Sequence, residues 1–169
     1  TDSYELALKH AWDPATLSMA VYRRSIVDPF LRVFAIDPTI TDYDVINRIY
    51  QNVGSATNDG IEVLATLKVA RSWSLSGSLN WYTNTIDPYV VDLLFPVPRR
   101  VQIEESEDST WDAKLNSEFL LPFAATMLLN LNYYGAKNIP QGRQDERSSV
   151  DIAISRKFLA DRAEFIFSA

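Results

Sequence analysis

The chain has 169 residues, 47% of them hydrophobic and 12% aromatic, a formal charge of −6 and no cysteine. Without cysteine there is no disulfide frame, thiolate metal site or cysteine nucleophile. An acidic balance with no Lys/Arg-rich patch speaks against a nucleic-acid partner, the aromatic content excludes disorder, and no apolar run is long enough for a transmembrane helix.

Ser3 to Trp12 alternates Tyr4, Leu6 and Leu8 with Glu5, Ala7 and Lys9, the two-residue period of a strand. Asp13-Pro14-Ala15-Thr16 is a tight turn. A second strand sets Leu17, Met19 and Val21 against Ser18, Ala20, Tyr22 and Arg24, and meets a bulge near Asp28-Pro29 because proline cannot donate to a central ladder. It resumes through Phe30 to Ile36, and Asp37 to Asp44 reads as a loop.

Gln51 to Val69 reads as one long strand, entered near Val45. Ile61, Val63, Ala65, Leu67 and Val69 make one face apolar, while the other carries mainly small or polar residues, among them Gly54, Gly60, Glu62 and Lys68. At about 3.3 Å per residue that apolar face is roughly 27 Å long before tilt, comparable to the apolar band of a membrane barrel, about 25 Å.

After a turn at Ala70 to Ser72, Trp73, Leu75, Gly77, Leu79 and Trp81 alternate with Ser74, Ser76, Ser78, Asn80 and Tyr82. The segment Asp87 to Asp108 holds an apolar patch, Tyr89 to Phe95, then Arg99-Arg100 and the acids Glu104, Glu105, Glu107 and Asp108. The patch either covers a barrel mouth or is an extra strand of a raised hairpin. Strand five sets Trp111, Ala113, Leu115 and Phe119 against Asp112, Lys114, Asn116 and Glu118; after a turn at Leu121 to Ala124, Met127, Leu129, Leu131 and Tyr133 continue the pattern. Gly135 to Arg147 reads as a polar loop, Val150, Ile152 and Ile154 as strand seven, Leu159 to Arg162 as a turn, and Phe165 and Phe167 as strand eight.

Connections therefore alternate between short and long, which puts every short turn at one end of an up-and-down antiparallel meander of about eight strands, as in transmembrane β-barrels. An aromatic flanks every short turn, Trp12, Trp73, Phe123 and Phe158, as in an interfacial girdle. Alternation alone also fits a small soluble or eight-stranded barrel that holds a hydrophobic ligand, or a purely structural membrane barrel. The length of the apolar faces, the loop asymmetry and the aromatic row favour part of a transmembrane barrel.

The residues themselves resemble a family. Asn52-Val53-Gly54-Ser55-Ala56 with Gly60-Ile61-Glu62 resembles the N-x-G-x-A…G-x-E strand of TonB-dependent outer-membrane receptors, and Trp73 to Tyr82 resembles the strand after it. Gln141-Gly142-Arg143, Ser149-Val150-Asp151 and Ser155-Arg156-Lys157-Phe158-Leu159 are similar to elements of the related outer-membrane β-barrel family. The resemblance implies location in the outer membrane of a Gram-negative bacterium and import of a scarce small ligand. It also implies a plug N-terminal to this segment, a TonB-type energy-coupling protein and outer-membrane lipid as partners. It makes the chain a C-terminal portion of a larger barrel of about 22 strands.

No catalytic constellation is expected, and no cofactor or metal. His10, the sole histidine, has no partnered Ser or Asp, and the acids from Glu104 to Asp108 match no EF-hand spacing. The candidate ligand contacts are Tyr89, Phe95, Arg99 and Arg100 in the long segment and Glu62 on the polar face, where it faces a lumen.

Overall fold

The computed structural model describes residues 1–36, 39–40, 45–52, 54–93, 97–139, 142–159 and 162–169. An eight-stranded antiparallel sheet carries the fold. Its strands are β1 (Asp2–Trp12), β2 (Ala15–Val27), β5 (Ser55–Ala70), β6 (Trp73–Ile86), β9 (Ser106–Leu121), β10 (Ala125–Tyr134), β13 (Arg147–Phe158) and β14 (Ala163–Ser168). Spatial order equals chain order, so the expected meander is what forms; β1 and β14 lie at its two edges.

The remaining strands make three two-stranded hairpins, all at the end of the sheet away from the short turns: β3 (Phe30–Ile36) with β4 (Ile46–Asn52), β7 (Tyr89–Leu93) with β8 (Arg99–Ile103), and β11 (Lys137–Ile139) with β12 (Gly142–Gln144). Of the two readings open for Tyr89 to Phe95, the described part is the strand of a raised hairpin. The Gly135 to Arg147 segment is more ordered than a loop, since it contains the third hairpin.

Two expectations about single strands need correction. Gln51 to Val69 is not one strand; it breaks between β4 and β5, where Gly54 has φ 30°. The partner strand breaks at the same level, where Asp28 has φ 53° and its N–H donates to the Gly54 carbonyl at 2.9 Å. A bulge would have kept one ladder. Instead, paired left-handed residues on neighbouring strands end the main sheet and start a new hairpin, a turn that glycine makes freely and aspartate tolerates.

Residues opposite one another in an antiparallel pair share a face, and the register lines up five apolar rows. The highest holds Leu6, Val21, Ile61, Trp81 and Trp111, and the middle one Leu17, Ala65, Gly77, Leu115, Leu131 and Val150. The lowest sets Trp73 beside Phe119, Met127, Ile154 and Phe167. Trp73 stacks on Phe119 with centroids 5.3 Å apart, and its indole N–H donates to Ser117 Oγ at 2.9 Å, which satisfies a hydroxyl set among apolar neighbours.

Among the described residues no second layer covers either face. The accessible surface is 12129 Å², whereas a compact protein of this mass exposes about 8,400 Å². Leu6, Leu8, Val21, Leu79 and Val150 all lie open on the apolar side. The buried apolar core among the described residues is small and divided: Ala20, Tyr22 and Ala56 lie in the sheet, and Ala35, Tyr89 and Val91 in the hairpins, where Tyr89 and Val91 form its one packed cluster.

Candidate functional site

Three regions carry the chemistry: the apolar face, the polar face and the raised hairpins. On the apolar face the five rows end abruptly toward the hairpins. One step above Trp81 and Trp111 the register brings Arg23, Asp59, Thr83 and Ser109 into line. Arg23 Nε lies 3.3 Å from Asp59 Oδ1, and the Thr83 and Ser109 hydroxyls hydrogen bond at 2.7 Å. An apolar band thus gives way within one row to paired polar groups. Trp111 stacks on Tyr133 at 4.1 Å just below that border, so aromatics mark the upper edge of the band as well as the turn end. Only the register reveals that upper ring, because the two residues come from different strands.

The polar face carries a belt of tyrosines in its upper half. Tyr22, Gly60, Tyr82 and Thr110 form one row, and Ala20, Glu62, Asn80, Asp112, Tyr134 and Arg147 the next. Gly60 is needed here because the Tyr22 ring occupies the space its side chain would fill. The buried Tyr22 hydroxyl donates to Asn80 Oδ1 at 3.0 Å. The Arg24 guanidinium lies 4.2 Å from the Tyr22 ring centroid, and Arg147 lies 4.5 Å from that of Tyr134. These cation–π contacts occupy the cations and leave Glu62 and Asp112 with no ion pair among the described residues. Below the belt hydroxyls and amides predominate: Thr16, Thr66, Ser76, Asn116 and Asn130 share a row that ends at Asp151, with Lys114 one row above and Lys68 and Glu118 one row below.

At the rim, the first two hairpins pack on each other. Tyr89 and Val91 are buried, Val91 to 1% exposure, against Ile49 of β4, Ile86 of β6, and Val101 and Ile103 of β8. Gln51 Nε2 donates to the Asp92 carbonyl at 2.9 Å, and the Ser55 hydroxyl donates to the Asp87 carboxylate. The third hairpin is tied to β9 where the Asn138 N–H donates to Asp108 Oδ2 at 2.8 Å.

Tyr89, Arg99 and Arg100 share the second hairpin, with different environments. Tyr89 is core, and burial pushes its phenol above the ordinary value. Arg99 and Arg100 are exposed on β8, and Arg100 Nε lies 3.8 Å from Asp92 Oδ1 across the hairpin. Glu62 lies apart from them on the sheet's polar face, as its alternation predicts. Phe95 lies outside the described residues. Tyr22, Asn80, Asp112 and Tyr134 join the polar belt although alternation alone marks them only as strand positions. Their signal is available in hindsight, since a tyrosine interrupts the polar side of strands β2, β6 and β10 near their hairpin ends.

The profile of the Outer membrane protein beta-barrel family matches residues 1–169. The chain belongs to that family. Membership places this β-barrel protein in the outer membrane and makes its eight-stranded sheet part of a transmembrane barrel wall. The outer-membrane location sets aside the soluble form of the alternative reading, a small barrel that holds a hydrophobic ligand. No curated protein and no solved structure matches the chain. In an outer-membrane barrel, alternation divides each strand between a lipid side and a lumen side. The paired apolar and polar rows are that division.

Proposed function

We propose that this chain is a segment of the barrel of a TonB-dependent receptor that imports a scarce small ligand across the outer membrane. The observation that carries the reading is the hairpin end. Two raised hairpins pack around Tyr89 and Val91 into one body above a polar face. A barrel serving only as a membrane anchor has no use for a crown with its own core, whereas a receptor needs a shaped surface over its lumen. The motif resemblance at Asn52 to Ala56 and Gly60 to Glu62 points the same way.

In this reading the apolar rows face lipid, and the polar face looks onto an N-terminal plug. Glu62 and Asp112, carboxylates in no ion pair among the described residues, meet the plug's donors. Arg99 and Arg100 contact the incoming ligand. A TonB-type protein supplies the energy, and the chain itself catalyses no reaction. The test compares the medium left by wild-type, deletion and complemented strains, with and without a protonophore. One class of solute should persist in the deletion medium and disappear on complementation only in energised cells. Uptake indifferent to the protonophore, or a complete reading frame that encodes no plug, overturns the reading.

A further inference from the structure

The middle of the apolar face is not smooth. Ala65 pairs directly with Gly77, and Leu79 directly with Ala113, so three positions on three adjacent strands carry a methyl group or nothing. Around them stand Leu79, Leu115 and Leu131, and together they leave a furrow of about 500 Å³. That volume is within the range of small-molecule sites, about 300–1,000 Å³. Its width follows from the sheet: the small positions cross three strands, and same-face side chains repeat about every 6.6 Å along a strand, so the gap is a slot roughly one hydrocarbon chain wide.

The furrow has a direction. It lies in the second and third of the five apolar rows counted from the hairpin end. At that end it closes under Tyr133, with Trp111 stacked on it at 4.1 Å. One step higher are the Thr83 and Ser109 hydroxyls and the Arg23–Asp59 pair. Aromatic rings with a polar tip, then hydroxyls and charges, match the depth profile of a lipid from its chain through its carbonyls to its headgroup. Side-chain size and row level thus agree on one occupant.

We propose that this furrow is a binding site for one acyl chain of an outer-leaflet lipid, with its carbonyl at the level of Trp111 and Tyr133 and its methylenes over Ala65, Gly77 and Ala113. The proposal rests on the lipid-facing assignment of the apolar rows. Within a bilayer the surrounding tails are as apolar as leucine, so selection comes from packing and from the polar upper end, not from water exclusion. An ordered saturated chain fits such a slot. A helix, about 10 Å across, is too wide to enter it.

The test uses the protein from the complete reading frame, purified in mild detergent with lipid A added, and native mass spectrometry to count retained lipid. Wild-type protein should keep one lipid A. Ala113→Leu, which fills the floor, should lower occupancy by about fivefold, the loss expected when several methylene contacts go. Val21→Leu, on the same face outside the furrow, should keep wild-type occupancy, and both variants are first checked for a folded barrel by heat-dependent gel migration. In parallel, tryptophan quenching by brominated-chain phosphatidylcholine reports lipid contact in general. Quenching with no lipid A retained, or equal loss in both variants, overturns the furrow and leaves the lipid-facing assignment standing. Absence of quenching overturns both. A dimer that Ala113→Leu dissociates would show a second copy of the chain in the furrow, and it also overturns the proposal.

Discussion

Exchanging one side chain for lysine on each face of the same sheet level tests the division of faces most directly. Leu115 lies in the central apolar row, between Gly77 and Leu131. Ser76 points to the opposite face, between Thr66 and Asn116, with no charged residue in either paired position. In a barrel wall a lysine at bilayer mid-depth on the lipid side costs about 2–4 kcal/mol, and a lumen-side lysine at the same depth reaches water or polar groups. Leu115→Lys should therefore lower stability by about 3 kcal/mol, more than a hundredfold in the folding equilibrium, and Ser76→Lys by less than about 0.5 kcal/mol. The assay is reversible unfolding of the full-length barrel in thin phosphatidylcholine vesicles, followed by tryptophan emission. Equal losses, or a larger loss for Ser76→Lys, would refute the assignment of the apolar rows to lipid.

Val91→Ala should loosen the crown and spare the barrel: two buried methyl groups and a residual cavity amount to about 2 kcal/mol. Hydrogen exchange should speed up in β4, β7 and β8, with β9 and β10 unchanged. Gly54→Val should cost more than about 1 kcal/mol locally, since φ 30° is strained for a branched residue and its Cβ would meet Tyr89 Cβ at 3.3 Å. Faster hydrogen exchange in β4 and β7, with β9 and β10 unchanged, would report it. Burial raises the Tyr89 pKa above the usual 10.0, so the folded hairpin favours the neutral phenol. Its contribution is intact below pH 10 and is lost as pH rises through the raised value. Amide protection in β7 and β8 should fall selectively in that alkaline range, and Tyr89→Phe should remove most of the dependence.

Much of the sheet was legible in the sequence because strand alternation is a local property. Leu75 to Trp81 against Ser74 to Tyr82 states both faces with no knowledge of any neighbour, and the Pro, Gly and Asp punctuation sets the short turns. The same logic placed Glu62 on the polar side. It failed at Gly54, where a strand that looks continuous breaks. The break depends on Asp28, between β2 and β3, taking a left-handed conformation and bonding to the Gly54 carbonyl. It failed again for Tyr89, which looked like an accessible contact and is hairpin core because Ile49 and Val101 close over it.

By itself the sequence determined the period, the two chemically unlike faces, the alternation of short and long connections, and the family motifs. These are written in near neighbours along the chain. Register belongs to the tertiary structure. Register alone brought Trp111 diagonally onto Tyr133, stacked Arg147 on Tyr134, laid Tyr22 over Gly60 and set Ala65 beside Gly77. Each of these joins residues from different strands, and a shift of one position would send every one of them to the opposite face.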